Sequence, residues 1–442
     1  MKKGDRWILV VTVLSACCML IAQNPLIMDQ FTADPSARVF GGRVYVYPSH
    51  DLDCGTNWFC MQDYHVFSSA DMVNWIDHGV IIRQEEVAWV DANTNSLWAP
   101  DCYEKDGKYY FYFPAIADTN TGIKGMAIGV AISDKPYGPF TPQSRPIEGV
   151  SGIDPNVFID KNGQAYLYWA RMSGLYGVKL KDNMLELAGK PQPIESLPQG
   201  MKEGPFMFER KGIYYFTFPH VIDTTEALVY AMGSDPLGPF EYKGIFMDES
   251  PTFCWTNHHS IIEYEGQWYL FYHHNDLSPQ FDKNRSVRVD SLFFNEDGTI
   301  RKVKPTLRGV GVVQATDKIE FDRYSAISQE GVSIEFLDNA DRFAGWKSIL
   351  TEENAWIRFN SVNFKEENLK RIKIKALSDT GGTVAIQIGD GDKYKIWKLK
   401  IPISKDWKII SANIKNLLVG IQNIEISLRD SGRVEIDWIQ FE

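Results

Sequence analysis

Residues 152–169 read GIDPNVFIDKNGQAYLYW, and this stretch carries the pattern that decides the fold. A carboxylate stands directly before Pro155, an apolar strand follows, and a turn at Gly163 leads into a second, aromatic strand. A glycine turn between two short apolar runs is typical of a β-hairpin. The same pattern recurs four more times in the first 270 residues or so, around the turn glycines Gly42, Gly107, Gly212 and Gly266.

Successive turn glycines are 65, 56, 49 and 54 residues apart, which is too long for one hairpin and fits one four-stranded blade with its loops. Polar turns such as residues 133–140 (SDKPYGPF) and 234–240 (SDPLGPF) fall between them, as expected between the outer strands of a blade. No long helical period appears. These features predict a five-bladed β-propeller over residues 25–312. A β-sandwich with irregular hairpins is the alternative, but sandwich strands lack this long self-similar period.

The sequence changes character after about residue 315, where the strands become short and regularly spaced. Their spacing and turns predict a separate β-sandwich of the jelly-roll type over residues 316–442. The predicted fold class is therefore all-β, with a five-bladed β-propeller followed by a β-sandwich. The join near residues 308–316 has no Pro-, Gly- or Ser-rich linker, so we expect the two domains to pack together.

Eight or nine residues before each turn glycine stand, in chain order, Asp34, Trp98, Asp154, Glu203 and His258. In a ring of repeats, equivalent positions converge on the axis. Glycoside hydrolysis needs one carboxylic acid to protonate the leaving oxygen and a second carboxylate as base or nucleophile. A third acidic residue can push their pKa values apart. One Asp-Pro motif alone is more often an ordinary turn, but three carboxylates at one repeat offset favour a sugar-cleaving pocket.

Other candidate residues have two interpretations each. Trp98 can form an apolar wall for a sugar face or belong to the core of a blade. His258 can bind substrate or hold a cation, directly or through water, or it can fill the channel floor as a hydrogen-bonded side chain. Either His258 or His259 can face the axis. Arg288, on a late strand, can bind a sugar hydroxyl or carboxylate, or form a surface ion pair.

The net charge limits the partners. The chain of 442 residues has 57 acidic and 46 basic residues and a formal net charge of −11. This charge argues against nucleic acid or an anionic membrane surface and suits a neutral polysaccharide or oligosaccharide substrate. No nucleotide, flavin or metal-hydroxide motif is present, so we expect no organic cofactor.

The N-terminus has the form of a targeting segment. Lys2, Lys3 and Arg6 precede a nearly apolar run over residues 7–21. The pattern predicts a signal peptide over residues 1–22 and an exported protein that is periplasmic, secreted or an outer-surface lipoprotein. The apolar run is short for a membrane span, which needs about 20 residues, and no later segment is long enough to be one.

The mode of processing stays open. Residues 14–17 (LSAC) have the form of a lipoprotein signal that would leave Cys17 lipidated as an anchor. The continuing apolar run over residues 18–21 instead favours ordinary cleavage near Ala22.

Four cysteines follow the signal peptide, and an oxidising compartment permits disulfides between them. Cys54 and Cys60 flank a short loop and form the favoured pair, whereas Cys102 and Cys254 are far apart in the sequence. Connectivity cannot be read from the sequence alone. No Cys/His spacing suggests a zinc site.

With these motifs, residues 25–312 resemble glycoside hydrolase family 43, whose members are five-bladed propellers that in many cases act on arabinan and xylan. The resemblance implies that Asp34 is the general base that activates water and that Glu203 is the general acid. It implies that Asp154 orients the acid and raises its pKa. The family inverts the anomeric centre in one displacement, which requires base and acid to stand about 6.5–9.5 Å apart.

The same resemblance implies two further roles. His258 matches a central histidine near which many members hold a calcium ion, and Arg288 matches an arginine at the pocket. Such a calcium is expected to be mostly water-coordinated and to tune the site rather than perform the chemistry.

Residues 316–442 resemble a family 6 carbohydrate-binding module, on the strength of residues 318–322 (KIEFD), 355–359 (AWIRF) and 435–441 (EIDWIQF). Glu320 and Asp437 match positions that often hold a structural calcium ion. Glu435 stands where that family usually has an asparagine that binds sugar. Sugar binding by this domain and a purely structural role beside the propeller therefore both stay open.

The sequence leaves several functions to compare. The first hypothesis is an exo-acting α-L-arabinofuranosidase that removes arabinose side chains from arabinoxylan, because residues 24–26 (NPL) and 31–35 (FTADP) look most like members acting on arabinoxylan. The second is a β-xylosidase acting on xylo-oligosaccharides with the same catalytic frame, with loops at residues 51–62 and 118–125 deciding between the sugars. A non-catalytic sugar-binding propeller is a different class, and the crowding of three carboxylates argues against it. A third class is a retaining propeller glycosidase of the fructosidase or sialidase kind. Sialidases use arginines for the substrate carboxylate, and the sequence shows no such arginine cluster.

Overall fold

The computed structural model describes residues 24–442, except residues 173, 339, 341–345, 366–368 and 392. The predicted signal peptide at residues 1–22, with Cys17, lies outside the described residues. The described chain contains 31 strands and two short 3₁₀-helices, at Gln84–Glu86 and Thr119–Thr121. The prediction of an all-β protein is confirmed.

Within the described residues, the first 19 strands form five antiparallel sheets, each built from strands that are consecutive in the chain. Sheet 1 contains β1 (Phe31–Phe40), β2 (Arg43–Asp51), β3 (Asp63–Ser69) and β4 (Ile76–Arg83). Sheet 2 contains β5 (Asp101–Lys105), β6 (Lys108–Ile116), β7 (Met126–Ser133) and β8 (Thr141–Pro142). Sheet 3 contains β9 (Ile153–Ile159), β10 (Ala165–Arg171), β11 (Gly174–Lys179) and β12 (Gln192–Pro193). Sheet 4 contains β13 (Phe206–Arg210), β14 (Ile213–Val221), β15 (Glu226–Gly233) and β16 (Phe240–Met247), and sheet 5 contains β17 (Ser260–Tyr264), β18 (Gln267–His274) and β19 (Ser286–Leu292).

The glycines that mark the repeat stand in the turn between the first and second strand of each sheet. Gly107 has φ of +75° and follows Asp106 with φ of +53°, and the pair is enclosed by the paired residues Lys105 and Lys108. A two-residue hairpin turn with positive φ at both centres matches the twist of the strands and favours glycine. The turns at Gly42, Gly212 and Gly266 are of the same two-residue kind, whereas the turn at Gly163 spans residues 160–164 and has positive φ only at Gly163.

Each of these sheets packs against the next through a buried core, and sheet 5 packs against sheet 1. Residues that share these cores are, in order around the sheets, Tyr64 with Phe111, Val130 with Leu167, Tyr168 with Phe216, Tyr230 with Tyr272, and Val46 with Val289. Large aromatic side chains fill most of these interfaces, and burial of such side chains contributes roughly 1.5–3 kcal/mol each. The packing of the five sheets thus returns to its starting point.

The beginning of the described chain lies beside the last strand of sheet 5. The Leu26 N–H donates to the Val287 carbonyl at 2.8 Å. The Asn24 side chain donates from Nδ2 to the Val289 carbonyl at 3.0 Å, and its Oδ1 accepts from the Val289 N–H at 2.9 Å. The two ends of the five-sheet region are therefore held together by backbone and side-chain hydrogen bonds.

The remaining strands of the described chain form two six-stranded sheets, sheets 6 and 7. They are β20 (Val313–Gln314), β21 (Ile319–Glu320), β22 (Ala326–Ile327), β23 (Val332–Phe336), β24 (Trp346–Leu350), β25 (Trp356–Asn363), β26 (Arg371–Ser378), β27 (Gly382–Asp390), β28 (Lys393–Ile401), β29 (Ser404–Asn413), β30 (Ile421–Leu428) and β31 (Val434–Phe441). Sheet 6 has the order β20-β25-β30-β27-β28 with β22 beside β25, and sheet 7 has the order β23-β24-β31-β26-β29 with β21 beside β31. Ile374 of sheet 7 and Ile426 of sheet 6 belong to one buried core, so the inner faces of both sheets supply it.

Contacts join this region to the five preceding sheets. Arg308 donates from Nε to Ser325 Oγ at 3.3 Å, and Val73, in the connection between β3 and β4, packs against the core shared by sheets 6 and 7. In the part of the chain that the structure covers, no helix is long and apolar enough to cross a bilayer.

Candidate active site

Residues from all five repeats meet at one end of the sheets. Neighbouring strands are antiparallel, so the start of the first strand, the end of the second and the start of the third lie at the same edge of a sheet. A small internal cavity near this edge is lined by two residues of each repeat: Pro35 and Ser36, Pro100 and Asp101, Pro155 and Asn156, Pro205 and Phe206, and His258 and His259. When the five repeats are aligned on these lining residues, His258 is equivalent to the four prolines. It is therefore equivalent to Pro35 and not to Asp34.

Asp34 is buried, with 5% of its surface exposed, and stands with φ of +45° where the pairing of β1 and β2 shifts register. Arg285 donates from Nη1 to Oδ1 at 2.7 Å, and the Ser49 hydroxyl donates to Oδ2 at 2.6 Å. Burial acts to raise the pKa of Asp34, but the Arg285 guanidinium and the other polar contacts outweigh it and lower the pKa to about 2. Asp34 is therefore a carboxylate at neutral pH.

Arg285 connects Asp34 to a second buried carboxylate. It donates from Nε to Asp51 Oδ2 at 2.9 Å and from Nη2 to Asp51 Oδ1 at 2.8 Å. The Phe59 ring covers the guanidinium, with its centroid 4.7 Å away. Bidentate pairing and ring stacking fix the plane of the guanidinium, and this fixes the orientation of Asp34.

His273, at the end of β18, holds the backbone of Asp34. The Asp34 N–H donates to His273 Nδ1 at 3.0 Å, while His273 Nε2 donates to the Thr256 carbonyl at 3.0 Å. Burial and the Arg285 charge lower the pKa of His273 to about 3, so this histidine is neutral. It acts as a fixed hydrogen-bond bridge and not as a proton carrier.

Asp154 repeats the local backbone of Asp34 two sheets further along. It is buried, has φ of +58°, and lies near a register shift in the pairing of β9 with β10. Few residue types other than Asn and Asp tolerate this left-handed conformation. The Gly204 N–H donates to Asp154 Oδ2 at 3.0 Å. Burial and then the charge of Glu203 raise the pKa of Asp154 to about 7.

Glu203 and Glu226 complete a group of four carboxyl side chains. Burial, Glu226 and Asp34 raise the pKa of Glu203 well above its usual value. Glu226 opens β15 and is fully buried, with its Oε2 accepting from the Asn257 N–H at 2.8 Å. Among the described residues its Oε1 has no hydrogen-bond partner, and burial raises its pKa to about 8. The four carboxyl groups therefore differ widely in the pH at which they ionise.

Aromatic side chains form one wall beside these carboxyl groups. A disulfide joins Cys54 and Cys60, as the sequence predicted, and closes the loop that carries Trp58 and Phe59. The Phe59 and Trp98 rings meet edge to face at 6.4 Å, and 58% of the Trp58 surface is exposed. Trp98 is partly exposed, and within the described chain its buried Nε1 has no hydrogen-bond partner. Trp98 thus lies in this wall between the loop and the interior.

The two adjacent histidines point in different directions. His258 Nδ1 lies 3.7 Å from Asp34 Oδ1, and its side chain is 12% exposed. His259 is buried, with Nε2 2.6 Å from Thr217 Oγ1, and burial lowers its pKa well below its usual value. His258 is therefore the histidine that faces Asp34, and His259 is a neutral side chain in the interior.

Arg288 lies apart from Asp34. It is buried and donates from Nε and Nη2 to Asp276 at 2.9 and 2.7 Å, so it forms the ion pair of the second interpretation, but this pair is buried and does not lie on the surface. Arg285, three residues earlier, is the arginine that contacts Asp34. Side chains alternate between the two faces of a strand, and residues three apart therefore point to opposite sides.

The pattern of one residue eight or nine positions before each turn glycine did not identify Arg285, Glu226 or Ser49 as site residues. This pattern singled out only residues at or just before the first strand of each repeat, whereas Ser49 lies near the end of a second strand, Glu226 begins a third strand and Arg285 directly precedes one. Strand bounds accurate to one residue would be needed to place all three at the same edge, and no turn motif marks them in the sequence.

Residues 22–300 match the model of the family named glycosyl hydrolases family 43. The chain belongs to glycosyl hydrolase family 43. It is 38% identical over 338 residues to xylosidase/arabinosidase 43A of Humicola insolens, which covers 64% of this chain and 99% of that protein. It is 28% identical over 463 residues to an arabinoxylan arabinofuranohydrolase of Bacillus subtilis, which covers 86% of this chain and 83% of that protein.

A solved structure of a family 43 enzyme is also similar to this chain. CoXyl43, a β-xylosidase/α-arabinofuranosidase from a compost microbial metagenome, was determined with xylotriose in a calcium-free form. It is 36% identical to this chain, with a TM-score of 0.59, and covers 64% of this chain and 97% of its own. The family 43 protein described here is therefore a glycosidase that hydrolyses O-glycosyl bonds of hemicellulose.

The surroundings of His258 fit a hydrated calcium ion. Asp34, Asp154, Glu203 and Glu226 supply negative charge or oxygen ligands, and Glu226 Oε1 has no hydrogen-bond partner among the described residues. Calcium prefers oxygen ligands and accepts several waters, so one imidazole nitrogen and a water shell can hold it.

The carboxylates of the C-terminal region also fit a calcium ion. Burial and the charge of Asp437 raise the pKa of Glu320 to about 7, and burial raises the pKa of Asp322 to about 6. Asp322 Oδ2 has no hydrogen-bond partner in the described part of the chain, although Lys375 contacts Asp437 at 2.5 Å. A dication would relieve the crowding of these like charges.

Proposed function

We propose that this family 43 enzyme is an inverting, exo-acting α-L-arabinofuranosidase that removes arabinose side chains from arabinoxylan. The observation that carries the hydrolytic part of the proposal is the separation of two pKa values, since that of Asp34 is lowered to about 2 and that of Glu203 is raised well above its usual value. The ionised Asp34 suits a base and Glu203 suits an acid, the pair that glycoside hydrolysis by two carboxyl groups requires. Inversion and the preference for arabinose rest on the family 43 resemblance and on the name of the Bacillus relative.

The proposed reaction is one displacement. A water oxygen bonds to the anomeric carbon while Asp34 accepts a proton from that water. The bond from the anomeric carbon to the leaving oxygen breaks, and Glu203 donates its proton to that oxygen. Asp154 accepts from the Gly204 N–H beside Glu203 and so positions the acid. Exchange with solvent returns both carboxyl groups to their starting states.

The wall of Phe59 and Trp98 supports a pocket that binds one terminal sugar. The loop is closed by a disulfide, and Phe59 contacts both Trp98 and Arg285. Apolar ring faces pack well against the C–H face of a furanose or pyranose, while the carboxyl groups address its hydroxyls. We expect Trp58, which is exposed on the same loop, to contact the next sugar of the substrate.

A β-xylosidase acting on xylo-oligosaccharides is the second candidate. The names of the Humicola relative and of CoXyl43 include both activities, and CoXyl43 was solved with xylotriose. The name of the Bacillus relative, which aligns over 86% of this chain, supports the arabinofuranosidase.

The test is a paired assay of the purified protein on 4-nitrophenyl α-L-arabinofuranoside and 4-nitrophenyl β-D-xylopyranoside, with arabinoxylan as the polymer. Release of arabinose from both the aryl glycoside and the polymer is the expected result. Release of xylose alone would replace the proposal with the second candidate. Proton NMR of the first-formed anomer tests inversion, and a retained configuration would contradict the roles of Asp34 and Glu203.

We also propose that the five sheets are the blades of a β-propeller over residues 25–312 and that sheets 6 and 7 form a β-sandwich over residues 316–442. Cyclic packing from sheet 5 to sheet 1 supports the first assignment, and the core shared by two sheets supports the second. Export directed by residues 1–22 is part of the same proposal.

Two calcium ions belong to the proposal as structural or tuning elements. One would lie near His258 as a hydrated ion whose charge stabilises the neighbouring carboxylates, and no step of the reaction passes through it. The other would be held by Glu320 and Asp437 in the C-terminal region. We likewise propose that this C-terminal region is a carbohydrate-binding module of family 6.

A further inference from the structure

Two histidines and an aspartate form a compact cluster on sheet 1, separate from the carboxyl groups of the active site. His50 lies near the end of β2, and Asp63 and His65 lie at the start of β3. β2 and β3 pair from Val44 with Ser69 to Val46 with Phe67, and the side chains of His50 and Asp63 meet beyond this paired segment. Asp63 and His65 are two residues apart and therefore share one face of β3.

The three side chains already approach the geometry of a metal site. His50 Nδ1 lies 2.6 Å from Asp63 Oδ1, and His65 Nε2 lies 3.9 Å from the same oxygen. All three potential ligand atoms lie within 4.8 Å of one another. Ligands at about 2.0–2.1 Å from a tetrahedral metal ion are roughly 3.3 Å apart, so small side-chain rotations complete the arrangement.

A fourth residue orients one of the imidazoles. His65 Nδ1 donates to the Asp77 carboxylate, at 3.1 Å from Oδ1 and 3.2 Å from Oδ2. Asp77 is itself held by the Gly79 N–H at 2.7 Å and by Gln30 Nε2 at 3.1 Å. A carboxylate on one imidazole nitrogen fixes the tautomer and leaves the lone pair of the other nitrogen free for a metal ion. In His65 that other nitrogen, Nε2, is the one that faces Asp63.

We propose that His50, Asp63 and His65 bind one divalent transition-metal ion of the zinc class, with water completing its coordination shell and Asp77 as a positioning residue. Two imidazoles and one carboxylate suit Zn²⁺, Ni²⁺ or Cu²⁺, whereas calcium prefers oxygen ligands. The side chains of the three ligands are 14–15% exposed, so the site is open to solvent while its geometry is held by the two strands. Arg83 Nη1 lies 3.9 Å from Asp63 Oδ2, but its side chain is half exposed and can turn away.

The site lies on the strand that also carries two supports of the active site. Ser49 and Asp51 flank His50 in β2 and hold Asp34 and Arg285, respectively. Successive side chains of a strand point to opposite faces, so the metal ion and the catalytic carboxylate lie on different sides of β2. Metal binding would fix the end of this strand without entering the sugar pocket.

Isothermal titration calorimetry of the full chain with Zn²⁺, after EDTA treatment and desalting, tests the proposal. We expect one saturable zinc site per chain and no competition for it by calcium. His50→Gln and His65→Gln should each weaken zinc binding by more than the roughly 10–100-fold loss expected for Asp77→Asn. Co²⁺ in place of Zn²⁺ should give a four- or five-coordinate visible spectrum that disappears in His65→Gln.

Matched controls separate this site from other histidines and from misfolding. His78→Gln, on the neighbouring strand β4, should keep the wild-type zinc affinity, and so should His258→Gln. Circular dichroism and metal-free thermal unfolding show whether each variant is folded, and Asp77→Asn keeps all three ligands should a histidine variant fail to fold. Zinc affinity unchanged in His65→Gln, no saturable zinc binding by the wild type, or loss of binding in His258→Gln would each overturn the proposal.

Discussion

Glu203 is the residue whose proton the proposed reaction uses. We expect Glu203→Gln to lower kcat/KM on arabinoxylan by about 10²–10⁴-fold, because the amide cannot protonate the leaving oxygen. The loss on 4-nitrophenyl α-L-arabinofuranoside should be much smaller, since 4-nitrophenolate leaves without protonation. Steady-state kinetics on both substrates provides the measurement. Glu241→Gln, at an exposed position, is the control, and equal losses on both substrates would rule out general-acid catalysis by Glu203.

Glu226 is predicted to set the alkaline limit of activity. Its pKa is raised to about 8, and its negative charge, once formed, helps to keep the proton on Glu203. Removal of that charge in Glu226→Gln makes Glu203 easier to deprotonate, so the alkaline limb of the kcat/KM profile should move to lower pH. The profile is measured with EDTA present. Glu209→Gln is the control, and an unmoved alkaline limb would show that Glu226 does not contribute to the pKa of Glu203.

Much of the site was predictable at the residue scale because its main carboxylates repeat with the fold. Asp34 and Asp154 precede a proline at one repeat offset, and both adopt the same left-handed backbone. Arg285 and Glu226 have no such signal, because their place depends on where two third strands begin. Which of two adjacent histidines faces Asp34 depends on side-chain direction, and the sequence does not encode this in any local pattern.

The loop closed by Cys54 and Cys60 is an element with its own predicted effect. Replacement of both cysteines by serine should raise KM, because Phe59 and Trp58 lose their fixed position at the pocket. The loss of stability should stay near or below about 2 kcal/mol, as expected for so short a cross-linked loop. Kinetics and urea unfolding of the double variant measure the two effects. Reduced wild-type protein should behave in the same way, and an unchanged KM in both would exclude the loop from substrate binding.

Turns and strands were predictable at the element scale for a local reason. Gly107 and its equivalents adopt positive φ, and this requirement leaves a visible mark in the sequence. Pairing between distant segments leaves no such mark. The contact of Leu26 with Val287 joins a segment before the first strand to a strand far away in the chain, so the sequence predicted a ring without showing what closes it.

Closure of the ring is predicted to control the stability of the whole five-sheet region. Asn24→Ala would remove the partners of the Val289 N–H and carbonyl and of the Thr306 carbonyl, which accepts from Asn24 Nδ2 at 2.7 Å. Buried groups left without partners cost about 1–3 kcal/mol each, so the urea midpoint should fall clearly. Asn93→Ala, an exposed asparagine with local contacts to Asp91, is the control. Equal urea midpoints for the two variants would mean that the hydrogen bonds of Asn24 do not stabilise the five-sheet region.

The contact between Asn24 and Val289 also imposes an order on biosynthesis. The ribosome releases Asn24 early, whereas its partner emerges 265 residues later. At a translation speed of roughly 5–20 residues per second, the first segment waits tens of seconds or less with its hydrogen-bonding groups exposed to water. Throughout that interval the nascent chain can assemble individual sheets, but it cannot complete the enzyme. Any factor that acts on the growing polypeptide before Val289 emerges therefore meets a five-sheet region without this contact, whereas the contact can form while residues of the C-terminal region are still being added.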